Sequence, residues 1–237
     1  FGWPHDAAVM AAPTWMPTPD FDRRIVAAVD ALAERGFSAG PHLGLVLGSG
    51  LGAFVERLEV VASAEFEQVP GFAGAQVKAH AGRVVQARFD RESLLVMQGR
   101  PHAYEGLEMG EVVLPVATLA RLGCPAVVLT NAAGGLRRTM RPGDLAVLED
   151  LIDLHLIDVA RGILQPDPRI HSGLFARAAR AGRVFDPALT RTLTKAGAAF
   201  ALHRAVYASV WGPNYEERST IGWLRRIGAD VVGMSTG

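Results

Sequence analysis

Short apolar runs recur along this chain, and each gives way to small or polar residues: LGLVL at 43–47, LLVMQ at 94–98, AVVLT at 126–130, AVYASVW at 205–211 and DVVGM at 230–234. Runs of this length, bounded by turn formers, read as buried β-strands. VVQARF (84–89) is parted from LLVMQ by the turn-like DRES and forms a hairpin with it, and DLAVLEDLIDL (144–154) is a further extended stretch. Helical patterns stand between the strands. Asp20 to Gly36 puts Ile25, Val26, Val29 and Leu32 on one face and stops at Gly36. GEVVLPVATLARLG (110–123) reads as a helix ending at Gly123, with Pro115 near its start or kinking it. Pro187 to His203 starts with Pro at the first helical position, and Ser219 to Ile227 is a last helix. Residues 155–186, rich in Arg, Pro and Gly, show no periodicity and read as a long functional or mobile loop. Strands alternating with helices predict an α/β fold. The expectation is a single domain over 20–237, with a central mixed β-sheet flanked by helices and ligand loops at the strand ends, behind an irregular arm at 1–19.

Charge and cysteine usage narrow the function. Lys plus Arg and Asp plus Glu both number 24, so the chain lacks the basic surplus that a nucleic-acid backbone demands. No apolar run reaches the roughly 18–20 residues of a membrane span. The N-terminal stretch has no basic region ahead of an apolar core, which argues against a signal peptide. Cys124 is the single cysteine, which excludes an intrachain disulfide and fits a reducing compartment. The seven histidines are scattered, with no metal-ligand spacing. Neither a G-x-S-x-G elbow nor a P-loop is present, so covalent nucleophilic catalysis and ATP hydrolysis have no support.

Several polar islands carry chemistry. GSGLGA (48–53) follows a strand and precedes an expected helix, so its amides and the Ser49 hydroxyl can face an anion. It also fits a dinucleotide fingerprint, with Glu65 or Glu67 only loosely at the acidic position; a plain tight turn accounts for it equally well. In GRPHAYEG (99–106), Arg100 and His102 sit two apart, and on extended backbone they point the same way, joined by Tyr104. Both are phosphate-compatible donors, although an ordinary surface loop would look similar. His80, in KAHAGR, is a weaker case of the same kind. NAAGG (131–135) follows a buried strand with small residues, and Gly134 and Gly135 remove the Cβ obstacle to a planar ring. In WGPNYEE, Tyr215 offers a stacking surface and Glu216 can accept from N–H groups of a heterocycle. VVGMSTG supplies an apolar wall (Val232, Met234) and a hydroxyl (Ser235).

Taken in order, GSGLG, HAGR, GRPHAYEG, TNAAGG, GDL, GPNYE and GADVVGMST resemble the trimeric-type purine nucleoside phosphorylases, over roughly residues 43–154 and 204–236. The resemblance implies that Ser49, His80, Arg100, His102, the Ala132 backbone and Ser235 hold phosphate. Tyr104, Ala133, Gly134, Tyr215, Glu216, Val232, Gly233 and Met234 would line the nucleoside, and His102 and Glu216 would be catalytic. It implies phosphorolysis of inosine, guanosine and their deoxy forms, inorganic phosphate as co-substrate with no other cofactor, a homotrimer and a cytoplasmic location. Pro101, Ala79 and Glu217 depart from the family pattern. That pattern also continues past the Met-Ser-Thr segment, into a strand and helix carrying a purine-binding Asn and a ribose-contacting His. Residues 155–186 lack the family signals that would place a neighbouring-subunit Phe. Two alternatives stay open: an impaired or truncated relative that binds nucleoside or phosphate with little turnover, and a dinucleotide-dependent oxidoreductase resting on GSGLGA alone.

Overall fold

The computed structural model describes residues 19–40, 42–74, 82–154 and 184–236. The strands β1 (Leu43–Leu47), β2 (Glu59–Glu65), β3 (Arg83–Phe89), β4 (Glu92–Gln98) and β5 (Ala126–Leu129) form a five-stranded sheet in the order β2-β3-β4-β1-β5. β1 runs parallel to both β4 and β5, whereas β2, β3 and β4 pair antiparallel. From β1 the chain therefore goes to the far edge at β2, builds inward through β3 to β4 beside β1, and then crosses to the other side through α2 (Met109–Arg121). Such a reversal beside a central parallel strand opens a crevice at the carboxyl ends of the strands. Gly44 allows the close approach of β5, because a Cβ there would lie 2.8 Å from Val127 Cγ2.

The helix α1 (Pro19–Ala33) carries Asp20 and Asp22 in its first turn, where the helix dipole favours negative charge. Ile25, Ala28 and Leu32 on its buried face pack with Leu114 of α2 and with Val46, Leu95 and Met97 of the sheet. This is the main core, and it holds the end of β1 rigidly.

A second sheet has the order β6-β9-β8-β7, from β6 (Gly134–Gly135), β7 (Leu145–Asp153), β8 (Leu202–Ser209) and β9 (Val231–Gly233). β7, β8 and β9 are parallel, and β6 joins the edge antiparallel to β9. The helices α3 (Pro187–Ala196) and α4 (Arg218–Arg226) complete this half. The α/β reading holds, with the mixed sheet realised as two hydrogen-bonded ladders flanked by helices.

Some local expectations change. β2 was not anticipated, because EVVASAE has charged ends and only two buried positions, Ala62 and Ala64. The segment after GSGLGA is a 3-10 helix over Gly52–Arg57 rather than an α-helix, which removes the strand–loop–helix unit a dinucleotide fingerprint requires. The helix expected over 187–203 ends at Ala196, since Gly197–Ala199 tightens into a 3-10 turn and β8 begins at Leu202. Gly134–Gly135 is a short strand, not an open loop. Most of the loop expected over 155–186, most of the 1–19 arm and His80 lie outside the described residues.

Candidate active site

Because β1, β4 and β5 are parallel, the loops after residues 47, 98 and 129 leave one edge of the first sheet together. These loops carry Ser49, Arg100 and His102, and Asn131 with Ala132. In the second sheet β8 and β9 are parallel, so the loops bearing Tyr215 and Glu216, and Met234 and Ser235, also emerge together. Contacts between the loops join the two sets. Asn131 Nδ2 donates to Tyr207 Oη at 3.1 Å, and the Ser235 amide donates to the same oxygen at 3.3 Å. Gly212, at φ +81°, brings its backbone against two ring-wall side chains: a Cβ there would lie 2.5 Å from Met234 Sδ and 3.1 Å from Tyr104 Cδ1.

The loop after β1 is pinned from behind. The Gly48 amide donates to Thr130 Oγ1 at 3.0 Å, and that hydroxyl donates to Val46 O at 2.9 Å. A Cβ at Gly48 would collide with Thr130 O at 2.5 Å, so glycine is required for this close packing. Ser49, just beyond, is exposed and forms no hydrogen bond with the described residues.

Arg100 is the chief charge of the site. Its Nε is buried without a hydrogen-bond partner, and the guanidinium forms no ion pair among the described residues. Burial pushes its pKa down to about 10, while Tyr207 and Tyr104 act weakly the other way. A desolvated, unpaired guanidinium is costly by itself and becomes favourable when an oxyanion arrives.

His102 is fixed by its own short turn. Glu105 Oε1 accepts from the His102 amide at 3.0 Å and from Nδ1 at 2.7 Å, and the ring stacks on Tyr104 at 4.8 Å between centroids. Burial lowers the His102 pKa below its ordinary value, the Glu105 hydrogen bond resists this, and the Arg100 charge lowers it further. The ring is therefore neutral near pH 7, with its proton on Nδ1 and a lone pair on Nε2. The second carboxylate oxygen, Glu105 Oε2, is buried without a hydrogen-bond partner among the described residues.

Other expected residues fall less tightly. Ala132, Ala133 and Gly134 are exposed along the rim, and Asn131 Nδ2 donates to Ala132 O at 3.2 Å. Tyr215 is 89% exposed yet close enough to Tyr104 to contribute to the raised pKa of that phenol, behind burial and Glu105. Glu216 is half-buried immediately before Glu217, the N-cap of α4. Val232 is 4% exposed and packs with Leu136, Ala208, Leu224 and Ala229 in the core. Gly134 and Gly135 likewise have packing duties, since they pair with Val232 and Val231 and a Cβ at Gly135 would lie 3.1 Å from Met140 Cβ. The sequence reading missed Tyr207, Asn131 and Thr236 and assigned Glu105 no role. Only Tyr207 left a signal, as a lone polar-tipped aromatic in an apolar strand, because a buried phenol needs a partner. No group of three or more His, Cys, Asp or Glu able to hold a metal occurs among the described residues. Two surface hollows, one around Arg218 and Arg226 and one around Arg137 and Asp230, contain none of the site residues expected from the sequence.

Loops at the carboxyl ends of parallel strands bring a buried cation, unpaired among the described residues, beside polar and apolar side chains of an α/β fold. Comparison with known proteins agrees. The family model described as the phosphorylase superfamily matches residues 42–237. Purine nucleoside phosphorylase 1 of Bacillus subtilis is 34% identical over 208 residues, covering 87% of this chain and 74% of that protein. The purine nucleoside phosphorylase of Mycobacterium leprae is 35% identical over 211 residues, covering 88% and 73%. A crystal structure of Schistosoma mansoni purine nucleoside phosphorylase with acetate superposes with a TM-score of 0.78 at 28% identity, over 90% of this chain and 79% of that one. The chain belongs to the phosphorylase superfamily, among its purine nucleoside phosphorylases.

Proposed function

We propose that this chain cleaves the N-glycosidic bond of purine nucleosides with inorganic phosphate, releasing the free base and ribose 1-phosphate. Inosine, guanosine and their deoxy forms are the substrates. The observation that carries the reading is the location of unsatisfied polarity. Among the described residues, the buried side-chain polar atoms without a hydrogen-bond partner are Arg100 Nε, Glu105 Oε2 and Thr236 Oγ1. All three lie in the loops after β4 and β9. Native proteins rarely leave buried polar groups unpaired, so their gathering marks a place completed by ligand.

In this reading Arg100, Ser49, His80, His102, the Ala132 backbone and Ser235 hold phosphate. Tyr104 and Met234 line the ribose, Tyr215 packs on the base and Glu216 accepts from its N–H edge. An oxygen of phosphate attacks the anomeric carbon as the carbon–nitrogen bond breaks. The bonding pair leaves with the base, which takes up a proton. Phosphate stabilises positive charge developing on the sugar, and hydrogen bonds stabilise negative charge on the base. Aligning both reactants supplies up to about 7–11 kcal/mol of the barrier in favourable cases. Inorganic phosphate is the co-substrate and no other cofactor is used.

The motif resemblance to trimeric-type enzymes supports a homotrimer, which analytical ultracentrifugation tests. A cytoplasmic site of action fits the lone buried Cys124, whose thiol burial pushes up to about 11. Among the described residues no helix is long and apolar enough to cross a membrane. The decisive experiment follows inosine cleavage with and without phosphate. Strict dependence on phosphate, with ribose 1-phosphate as product, is expected; equal rates in both conditions overturn the reading.

A further inference from the structure

Tyr207 stands at the middle of β8, in register with Leu151 of β7 and Val231 of β9, and is fully buried. Its oxygen is a meeting point for donors from both halves of the site. Asn131 Nδ2 reaches it at 3.1 Å from the loop after β5, and the Ser235 amide at 3.3 Å from the loop after β9. The orientation of the Asn131 amide is supported independently, because the same nitrogen donates to Ala132 O at 3.2 Å. Gly233 makes the arrangement possible: a Cβ there would lie 2.4 Å from Tyr207 Oη and force the loop away. Arg100 is near enough to interact electrostatically with the phenol.

We propose that Tyr207 is a positioning residue for phosphate, whose buried hydroxyl ties the Asn131–Ala132 loop of one sheet to the Ser235–Thr236 loop of the other and so sets the spacing of the anion-holding groups. The inference rests on the phosphorolysis reading for the identity of the anion. Tyr207 is too buried to touch the ligand and acts through the loops it joins. Removing its hydroxyl leaves two part-buried donors without this acceptor, so the loops relax apart. The nucleobase end, held by Tyr215 and Glu216, makes no contact with this oxygen.

The test is isothermal calorimetry of inorganic phosphate and, separately, hypoxanthine with the wild type, Tyr207→Phe, Asn131→Ala and the double variant. Tyr207→Phe is expected to raise the phosphate Kd about tenfold and to leave the hypoxanthine Kd within about twofold. The double variant should lose much less than the sum of the singles, because both substitutions break one link. An unchanged phosphate Kd in folded Tyr207→Phe, or equal weakening of both ligands, overturns the proposal. Should Tyr207→Phe fail to fold, Asn131→Ala decides alone: selective loss of phosphate supports the link, and no selectivity overturns it. Wild-type protein that binds phosphate but does not cleave inosine sinks the phosphorolysis reading and leaves this comparison intact. Wild-type protein that binds no phosphate removes both.

Discussion

The two ends of the site are built differently. At the end assigned to phosphate in the proposed function, Tyr207, His102 and Thr236 are 0%, 5% and 7% exposed, and Arg100 is desolvated without a counter-ion among the described residues. At the end assigned to the base in the same proposal, Tyr215 is 89% exposed and Glu216 is half-buried, on a loop leading into α4. The contrast follows from what each end must do. Stabilising charge in the transition state requires fixed donors in a medium of low dielectric, and those must exist before the ligand arrives. Stacking and an edge hydrogen bond can form as the base docks, because their energy comes from the contact itself.

That contrast can be broken most directly at Arg100. Replacing it with Ala should cost about 10²–10³ in kcat/KM for phosphate, with hypoxanthine affinity nearly unchanged; parallel loss in both ligands would show that the ends are not separate. Glu216→Ala is the mirror experiment. It should weaken purine binding by about tenfold or more, as loss of a charged hydrogen-bond acceptor does, and leave the phosphate Kd alone in the same calorimetric titrations.

A smaller effect is expected at Gly212→Ala, where the left-handed backbone and the contacts with Met234 and Tyr104 leave no room for a methyl group. The strain should destabilise the fold by about 1–3 kcal/mol, read by urea unfolding, and raise the KM for nucleoside more than that for phosphate. Glu105→Gln sharpens the picture of the buried end. The carboxylate holds the His102 pKa up against burial and Arg100, so its removal should move the imidazole titration, followed by NMR, to lower pH. Movement to higher pH would contradict the assigned contacts.

The smallest prediction concerns pH and stability. The folded pKa of His102 lies below 6.5, so below pH 6.5 the unfolded chain takes up a proton that the folded chain refuses. Stability from this group is intact above pH 6.5 and declines as the pH falls toward the folded value, by at most about 1.4 kcal/mol per pH unit. Urea unfolding at pH 7.5 and 5.5 should show the decline, and His102→Gln should reduce it. Asp230 does not interfere in that window. Burial works to raise its pKa, but hydrogen bonds from Arg137 and the Val206 amide bring it below 3.8, so its contribution is lost only in stronger acid.

Much of this molecule was legible from local pattern. LGLVL became β1 without change, and the hairpin and the strands β7, β8 and β9 of the second sheet were found within a few residues, because an apolar run between turn formers has few other fates. Arg100, His102 and Tyr104 were recognisable as a cluster since they are neighbours in the chain and need no tertiary contact to be read together. Val232 reads as an apolar position in the sequence, and only the structure shows the core neighbours it packs against. β2 stayed hidden because an exposed edge strand carries charges that erase the alternating pattern.

By itself, the order of residues determined which segments are strands or helices and which loops carry polar chemistry, since those depend on neighbours a few positions apart. Only the tertiary structure decided that Tyr207 joins Asn131 to Ser235, that Arg100 meets no carboxylate among the described residues and that Gly134 belongs to a strand. Those properties depend on which distant loops arrive at the same strand ends, and burial and hydrogen-bond partnership are set by that meeting.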